Sequence, residues 1–430
     1  MRIGLKILGC PKNEADCDVL EAILRSRGHQ IVKNVDQAEV VIIDTCGFIE
    51  SAKRESIDEI IDFVNYKKDH NFFLCVKGCL VQRYGDILRS EIPEVDAWYG
   101  VLSPSQISEA IERRVPFLVT EPQTVYDEAI RNCKGSFAYI KIADGCDRSC
   151  TFCAIPSFKG KFKSRSVEVI EAEVRNLVHN GVKEIILVAQ DTTAYGLDLY
   201  SKPSLPYLLE KLNSIEGEFR LRVMYLHPDH IDDEIIQAIL SLEKVLPYFD
   251  MPVQHGSDDV LKRMGRIRTS DELLEMIRKI RQANTDAAIR TTFIVGFPGE
   301  SDEDFERLLS FLKEAKFDRV GSFIYSDEEG TTASLMEQKV PFEVAQERYE
   351  ELLILQSQLA YESLSRFIGR TLNVLVEGSQ KNKYIGRSHF DAPEIDGNVF
   401  IKKTRRILFP AYHRVRITNV SEYDMEGVLE

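Results

Sequence analysis

The 430-residue sequence predicts a multidomain α/β protein: an N-terminal doubly wound parallel sheet, a central partial (β/α)6 barrel and a small C-terminal all-β barrel. Three observations carry this prediction. Near the N-terminus, continuous Val/Ile/Leu runs alternate with amphipathic helical stretches, as strands buried on both faces do. After Gly135 the alternation restarts and runs through about six units. From Arg366 it gives way to short β-rich runs separated by turn residues. A chain of this length exceeds what one core usually holds, so division into domains is expected.

The first part takes its strands from RIGLKIL, EVVIIDTC and FFLCVKGC, each followed by a helical stretch. The run EPQTVYDEAIRNCKG loses that rhythm and reads as a linker. In the second part the strand candidates are FAYIKIADG, EIILVAQD, FRLRVMYL, YFDMPVQ, IRTTFIVGF and RVGSFIYS, with helices such as SDELLEMIRKIRQA between them. Function is expected at the carboxyl ends of such strands. A long amphipathic helix, PFEVAQERYEELLILQSQLAYESLSRFIG, leads into TLNVLVEG, NVFIKK, YHRVRITNV and MEGVLE, the pattern of a small β-barrel. The expected boundaries are 1–133, 134–340, 341–365 for the helical connector, and 366–430.

Composition narrows the function. The net charge of −14 disfavours a protein that lives by gripping phosphate backbones. The C-terminal part alone leans basic, with 11 Lys/Arg against 8 Asp/Glu. No run approaches the ~20 apolar residues that span a bilayer, and the N-terminus reads as a buried strand rather than a secretory signal. Nine cysteines in such a chain indicate a reducing, cytoplasmic setting, where clustered cysteines bind metal or do redox chemistry.

Two sets of three cysteines stand out. Cys146, Cys150 and Cys153 form a CxxxCxxC loop, GCDRSCTFC, just after the first barrel strand. A structural zinc site closes with four ligands, yet the following residues supply no Cys or His, and His227 and His255 lie far along the chain. Thiolates also hold iron–sulfur clusters, and ligand chemistry alone leaves zinc and iron–sulfur both open. Cys10, Cys46 and Cys79 each close one of the three N-terminal strand candidates, so a doubly wound sheet would bring them to one edge. Cys17, Cys75 and Cys133 show no such pattern.

The loop CDRSCTFC, with Phe152 before its last cysteine and a six-unit β/α domain behind it, resembles the radical S-adenosylmethionine superfamily. That resemblance implies a 4Fe-4S cluster on Cys146, Cys150 and Cys153, with its open iron chelated by S-adenosylmethionine. It also carries over Gln190, in VAQDT after the second strand, as a cofactor contact. With the second trio and a TRAM-like C-terminal barrel, the likeness extends to the methylthiotransferases across nearly the whole chain. It implies a second 4Fe-4S cluster on Cys10, Cys46 and Cys79, where sulfur is handled before insertion.

Within that family, GCPKNEAD, DTCGFI and DMPVQHGSD resemble the branch that modifies an aspartate β-carbon in a small-subunit ribosomal protein. The alternative is the branch that modifies a tRNA adenosine; a zinc-stabilised RNA- or ribosome-binding protein is a third reading. The acidic charge suits a basic ribosomal protein or the ribosome as partner. The chemistry further implies an electron donor and a sulfur donor. Asn13 and Asp16 are expected to order the Cys10 loop or cap its helix. Lys161, Lys163 and Arg165 are expected to meet cofactor or substrate, or to form a solvated basic face.

Overall fold

The computed structural model describes residues 1–123, 125, 126, 131 and 135–430. Cys133 and part of the expected linker lie outside the described residues.

Six parallel strands build the N-terminal sheet: β1 (Arg2–Ile7), β2 (Gln30–Val32), β3 (Val40–Thr45), β4 (Phe73–Gly78), β5 (Ala97–Tyr99) and β6 (Phe117–Leu118), in the order β2-β1-β3-β4-β5-β6. The alternation of side chains along β3 explains why both faces need helices. Val40 and Ile42 pack with Leu20 and Leu24 of α1 (Pro11–Ser26) and with Ile107 and Ile111 of α4 (Pro104–Glu112). Val41 and Ile43 face the other way, against Ile60 and Val64 of α2 (Glu50–Lys67) and Leu80 and Leu88 of α3 (Cys79–Glu91). Strand order reverses at β1 and β3, which makes their carboxyl ends a ligand-binding crevice.

The central domain has six main parallel strands. They are β7 (Phe137–Lys141), which precedes a small hairpin of β8 (Ala143–Asp144) and β9 (Lys163–Ser164), then β10 (Glu184–Val188), β11 (Arg220–Val223), β12 (Tyr248–Asp250), β13 (Ala288–Val295) and β14 (Arg319–Ile324). They form two three-stranded halves, β7-β10-β11 and β12-β13-β14. The halves are joined where the Leu221 N–H donates to the Lys244 carbonyl and the Leu246 N–H to that of Leu221. The result is an open, partial barrel. Ile185, Leu187, Val223 and Ile289 point outward to a helical layer. That layer comprises α6 (Val167–His179), α8 (Leu205–Asn213), α9 (Asp233–Ser241), α10 (Asp258–Arg263), α11 (Ser270–Ala283) and α12 (Asp302–Ala315), whereas α5 (Ile155–Lys159) packs against the N-terminal domain and α7 (Leu197–Tyr200) buries no residue.

A 24-residue helix, α13 (Phe342–Ser365), leads to a closed five-stranded barrel of β15 (Thr371–Gln380), β16 (Lys383–Arg387), β17 (Val399–Lys402), β18 (Ala411–Val420) and β19 (Met425–Leu429). The loop after β16 turns back into the central domain. Tyr139, Ile186, Met224 and Tyr248, on the opposite strand face from Ile185 and Leu187, share one apolar cluster with Phe390, Ala392 and the β-barrel core. Asp391 pairs with Arg319, and Asp396 accepts from Tyr248 Oη at 2.6 Å. Glu184 lies buried between Arg222 (2.6 Å) and Arg387 (2.9 Å). This loop occupies the space that an open barrel leaves unfilled.

Glu184 is the carboxylate on buried Arg222, so Glu184→Ala leaves that guanidinium uncompensated, while Arg387 keeps Glu377 at 2.7 Å. Breaking a buried pair in this way costs about 3–5 kcal/mol. Thermal unfolding should show a correspondingly lower transition for the variant; an unchanged transition would mean that the barrel is held by its apolar contacts alone.

Candidate functional site

Cys10, Cys46 and Cys79 follow β1, β3 and β4, three neighbouring strands of the sheet. Two glycines allow their close approach. A Cβ on Gly9 (φ +97°) would lie 2.8 Å from Cys46 Cβ, and one on Gly47 would lie 2.8 Å from the backbone of Leu80, beside Cys79. Asn13 orders the first loop and caps nothing. Its amide donates to the Leu8 carbonyl at 3.0 Å, and its Oδ1 lies 3.7 Å from Cys10 Sγ. Asp16 reaches across to the central domain, accepting from Lys141 Nζ at 2.8 Å. Cys17 is no part of the trio; it is buried and donates to Asp44 at 3.1 Å. Cys75 is packed in the sheet core.

The second trio stands on the loop between β8 and α5. The loop is closed by the Cys146 N–H donating to the Gly160 carbonyl, and pinned from outside by Thr151, which donates to Arg263 O (2.8 Å) and Met264 O (3.1 Å). At its root lies Asp144. This buried carboxylate accepts from Lys141 (3.0 Å), Lys159 (3.3 Å), the Gly145 N–H (2.9 Å) and the Gln190 amide. Burial opposes its ionisation, but Lys141 and Lys159 outweigh that and hold it well below the usual carboxylate range. Gln190 is thereby fixed at the end of β10, and its Oε1 is buried without a hydrogen-bond partner.

Burial dominates the thiols. It pushes Cys46 and Cys146 up to about 11, and Cys79 and Cys153 up to about 12. Within each trio the cysteines raise one another, Cys10 acting on Cys46 and both on Cys79, Cys146 and Cys150 on Cys153. Backbone N–H groups oppose this: Arg148 donates to Cys146 Sγ at 3.4 Å, Ile155 to Cys153 and Phe48 to Cys46. Such N–H bonds to sulfur are a means by which proteins tune iron–sulfur clusters. Among the described residues no three His, Cys, Asp or Glu side chains close around a single ion. Three thiols on each site are the donor type that holds an iron–sulfur cluster.

His227 and His255 supply no missing ligand. His227 accepts from Arg266 and lies 3.8 Å from Cys150 Sγ. Burial, then Arg266 and Arg148, pushes it down to about 2, so it is neutral. His255 is buried, its Nδ1 accepting from the Ser257 N–H. Arg165 is likewise structural. It is buried, pairs with Glu173 at 2.7 Å and donates to the Lys141 and Tyr126 carbonyls, because α6 brings Glu173 under it. Lys161 and Lys163 are exposed.

A cavity of about 190 Å³ opens where loops of the N-terminal and central domains meet. Phe48 and Ile49, beside Cys46, form one wall; Phe152, beside Cys153, and Ile294 and Tyr325 form another. Glu328, 2 % exposed, closes it and joins the domains by accepting from Arg83 at 2.9 Å and Lys53 at 3.1 Å.

Comparison with known proteins agrees with these parts. The model of the Radical SAM superfamily matches residues 140–312, that of the uncharacterized protein family UPF0004 residues 2–100, and that of the TRAM domain residues 368–429. The ribosomal protein uS12 methylthiotransferase RimO of Pseudothermotoga lettingae is 67% identical over 429 residues, covering 100% of both chains. The chain belongs to the uS12 methylthiotransferase family. Its Thermotoga maritima relative of the same name is 54% identical, over 99% of each chain. Among solved structures, the radical S-adenosylmethionine methyltransferase TsrM from Kitasatospora setae shares the fold, with a TM-score of 0.58 at 13% identity over 75% of this chain and 74% of that one. Membership of the radical superfamily brings with it one 4Fe-4S cluster and S-adenosylmethionine.

Sequence reasoning missed Asp144, Lys159, Glu328 and Arg266. Lys159 was hidden in the run KGKFKSR, whose cations read alike until the fold separates buried from exposed.

Since burial pushes Cys46, Cys79, Cys146 and Cys153 upward, these four carry protons at neutral pH in the metal-free protein and must lose them to bind iron. Anaerobic iron loading in weak buffer should release protons, and apparent affinity should rise with pH from neutral upward. Loading without proton release would contradict ligation of iron by these thiols.

Proposed function

We propose that this chain methylthiolates the β-carbon of an aspartate in the small-subunit ribosomal protein uS12 by radical S-adenosylmethionine chemistry. The observation that carries the reading is full-length identity of 67% to a relative bearing that name. In this reading Cys146, Cys150 and Cys153 hold the 4Fe-4S cluster that binds S-adenosylmethionine, and Cys10, Cys46 and Cys79 hold a second one. When bound, the cofactors supply an electron to the sulfonium and a radical route to an unactivated C–H bond.

The protein's own residues supply position and dryness. Gln190, oriented by Asp144 and with an unpartnered Oε1, contacts the amino group of S-adenosylmethionine. The cavity between Phe48 and Phe152 receives the reacting side chain, and its apolar walls exclude water. The division into 1–133, 134–340, 341–365 and 366–430 assigns sulfur handling to the first part, radical generation to the second and connection to the third, with the small β-barrel as the fourth. Basic uS12, free or within the ribosome, complements a chain of net charge −14. An electron donor and a sulfur donor complete the reaction.

No helix among the described residues is long and apolar enough to cross a membrane. The tRNA alternative is not favoured, since the full-length relatives are named for uS12.

The test offers purified uS12 and unmodified tRNA in parallel to the anaerobically reconstituted protein, and follows both by mass spectrometry. A methylthio gain confined to one aspartate of uS12 is expected. Modified tRNA with untouched uS12 would overturn the substrate assignment.

A further inference from the structure

Lys159 ends α5, six residues after Cys153, and its ammonium group is buried, with the residue 6 % exposed. An ammonium carries three donors. Among the described residues its one hydrogen-bond acceptor is Asp144, at 3.3 Å. That carboxylate also accepts from Lys141 at 3.0 Å, and Lys141 in turn holds Asp16 at 2.8 Å. Asp16 and Asp144 together balance Lys141 and Lys159 in charge, but Lys159 has more N–H donors than acceptors among the described residues.

The helix that it ends lies against the N-terminal domain. Phe158 and Ala154, its neighbours on and before α5, pack in one apolar cluster with Cys79 and Val101, joined by Phe48. The helix therefore forms a wall of the N-terminal thiol site, although in sequence it follows the radical loop. Burial opposes the charge on Lys159, but Asp144 outweighs it, with Cys79, Asp16 and Cys10 adding to this where they are ionised, and the lysine stays protonated. Cys146 and Cys153 have other charged neighbours: Asp191, Arg148 and Arg266.

We propose that Lys159 is a positioning residue for the cluster held by Cys10, Cys46 and Cys79, donating from its ammonium group toward the sulfur there and raising that cluster's reduction potential. The proposal rests on the reading that this trio binds a 4Fe-4S cluster. Its physical basis is simple. A thiolate-ligated cluster is anionic, and a fixed buried cation favours the reduced, more negative state. Lys159 thus answers from the radical domain to a group held by the N-terminal domain, and its unused donors meet acceptors that the protein alone does not provide.

The test uses the full chain with Cys146, Cys150 and Cys153 replaced by Ala, so that the remaining iron–sulfur signal belongs to the N-terminal trio. Iron content and midpoint potential are measured by redox titration followed by electron paramagnetic resonance, for Lys159, Lys159→Met and Lys159→Arg. The expected result is a potential shifted to more negative values in Lys159→Met and restored toward the parent in Lys159→Arg. If Lys159→Met loses its cluster while the metal-free chain melts normally, and Lys159→Arg regains it, the cation's role is equally supported. A loaded Lys159→Met with unchanged potential would overturn the proposal, as would loss of the cluster in both variants. If the parent with Lys159 binds no iron, the reading of a second cluster fails instead, which keeps the two failures distinct.

Discussion

The position of Asp144 is the constraint on which the rest of the site depends. One buried carboxylate precedes the radical loop and gathers Lys141, Lys159, Gln190 and the Gly145 N–H. Through Lys141 it reaches Asp16 of the N-terminal domain, and through Lys159 it reaches the wall of the N-terminal thiol site. A buried carboxylate is tolerated only when paired and hydrogen-bonded. Meeting that demand draws residues from two domains to one point. Glu328, with Arg83 and Lys53, repeats the device at the cavity lined by Phe48 and Phe152.

The C-terminal barrel solves a different problem. A six-strand partial barrel leaves an inner face without strands to close it. Here the loop after β16 supplies Phe390, Ala392, Asp391 and Asp396 to meet Tyr248, Arg290 and Arg319. Charges on the inner strand face, which alternation alone would mark as apolar, are thereby compensated by residues about 70 to 200 positions further along. The barrel is therefore part of the central domain's fold as well as a separate module.

Much of this was legible beforehand because the signals are local. Continuous apolar runs ending at Gly9-Cys10, Thr45-Cys46 and Gly78-Cys79 announce both strands and the cysteines at their ends, and the parallel order β1-β3-β4 then brings those cysteines together. The loop from Cys146 to Cys153 is legible from spacing alone. Arg165, Lys159 and Glu328 were not, since each takes its meaning from a partner distant in the chain or from burial. Arg165 looks like part of a basic face in KGKFKSR, yet Glu173 buries it in an ion pair. Glu328 looks like a loop residue until Arg83 and Lys53 are seen to hold it from another domain.

The central claim is that the chain contains two like sites, each built of three thiols, that act together. Iron content after anaerobic reconstitution tests it most directly. The intact chain should bind the iron of two 4Fe-4S clusters, and replacing Cys10, Cys46 and Cys79 with Ala should halve it while leaving cleavage of S-adenosylmethionine detectable. Iron unchanged by that replacement would contradict the claim.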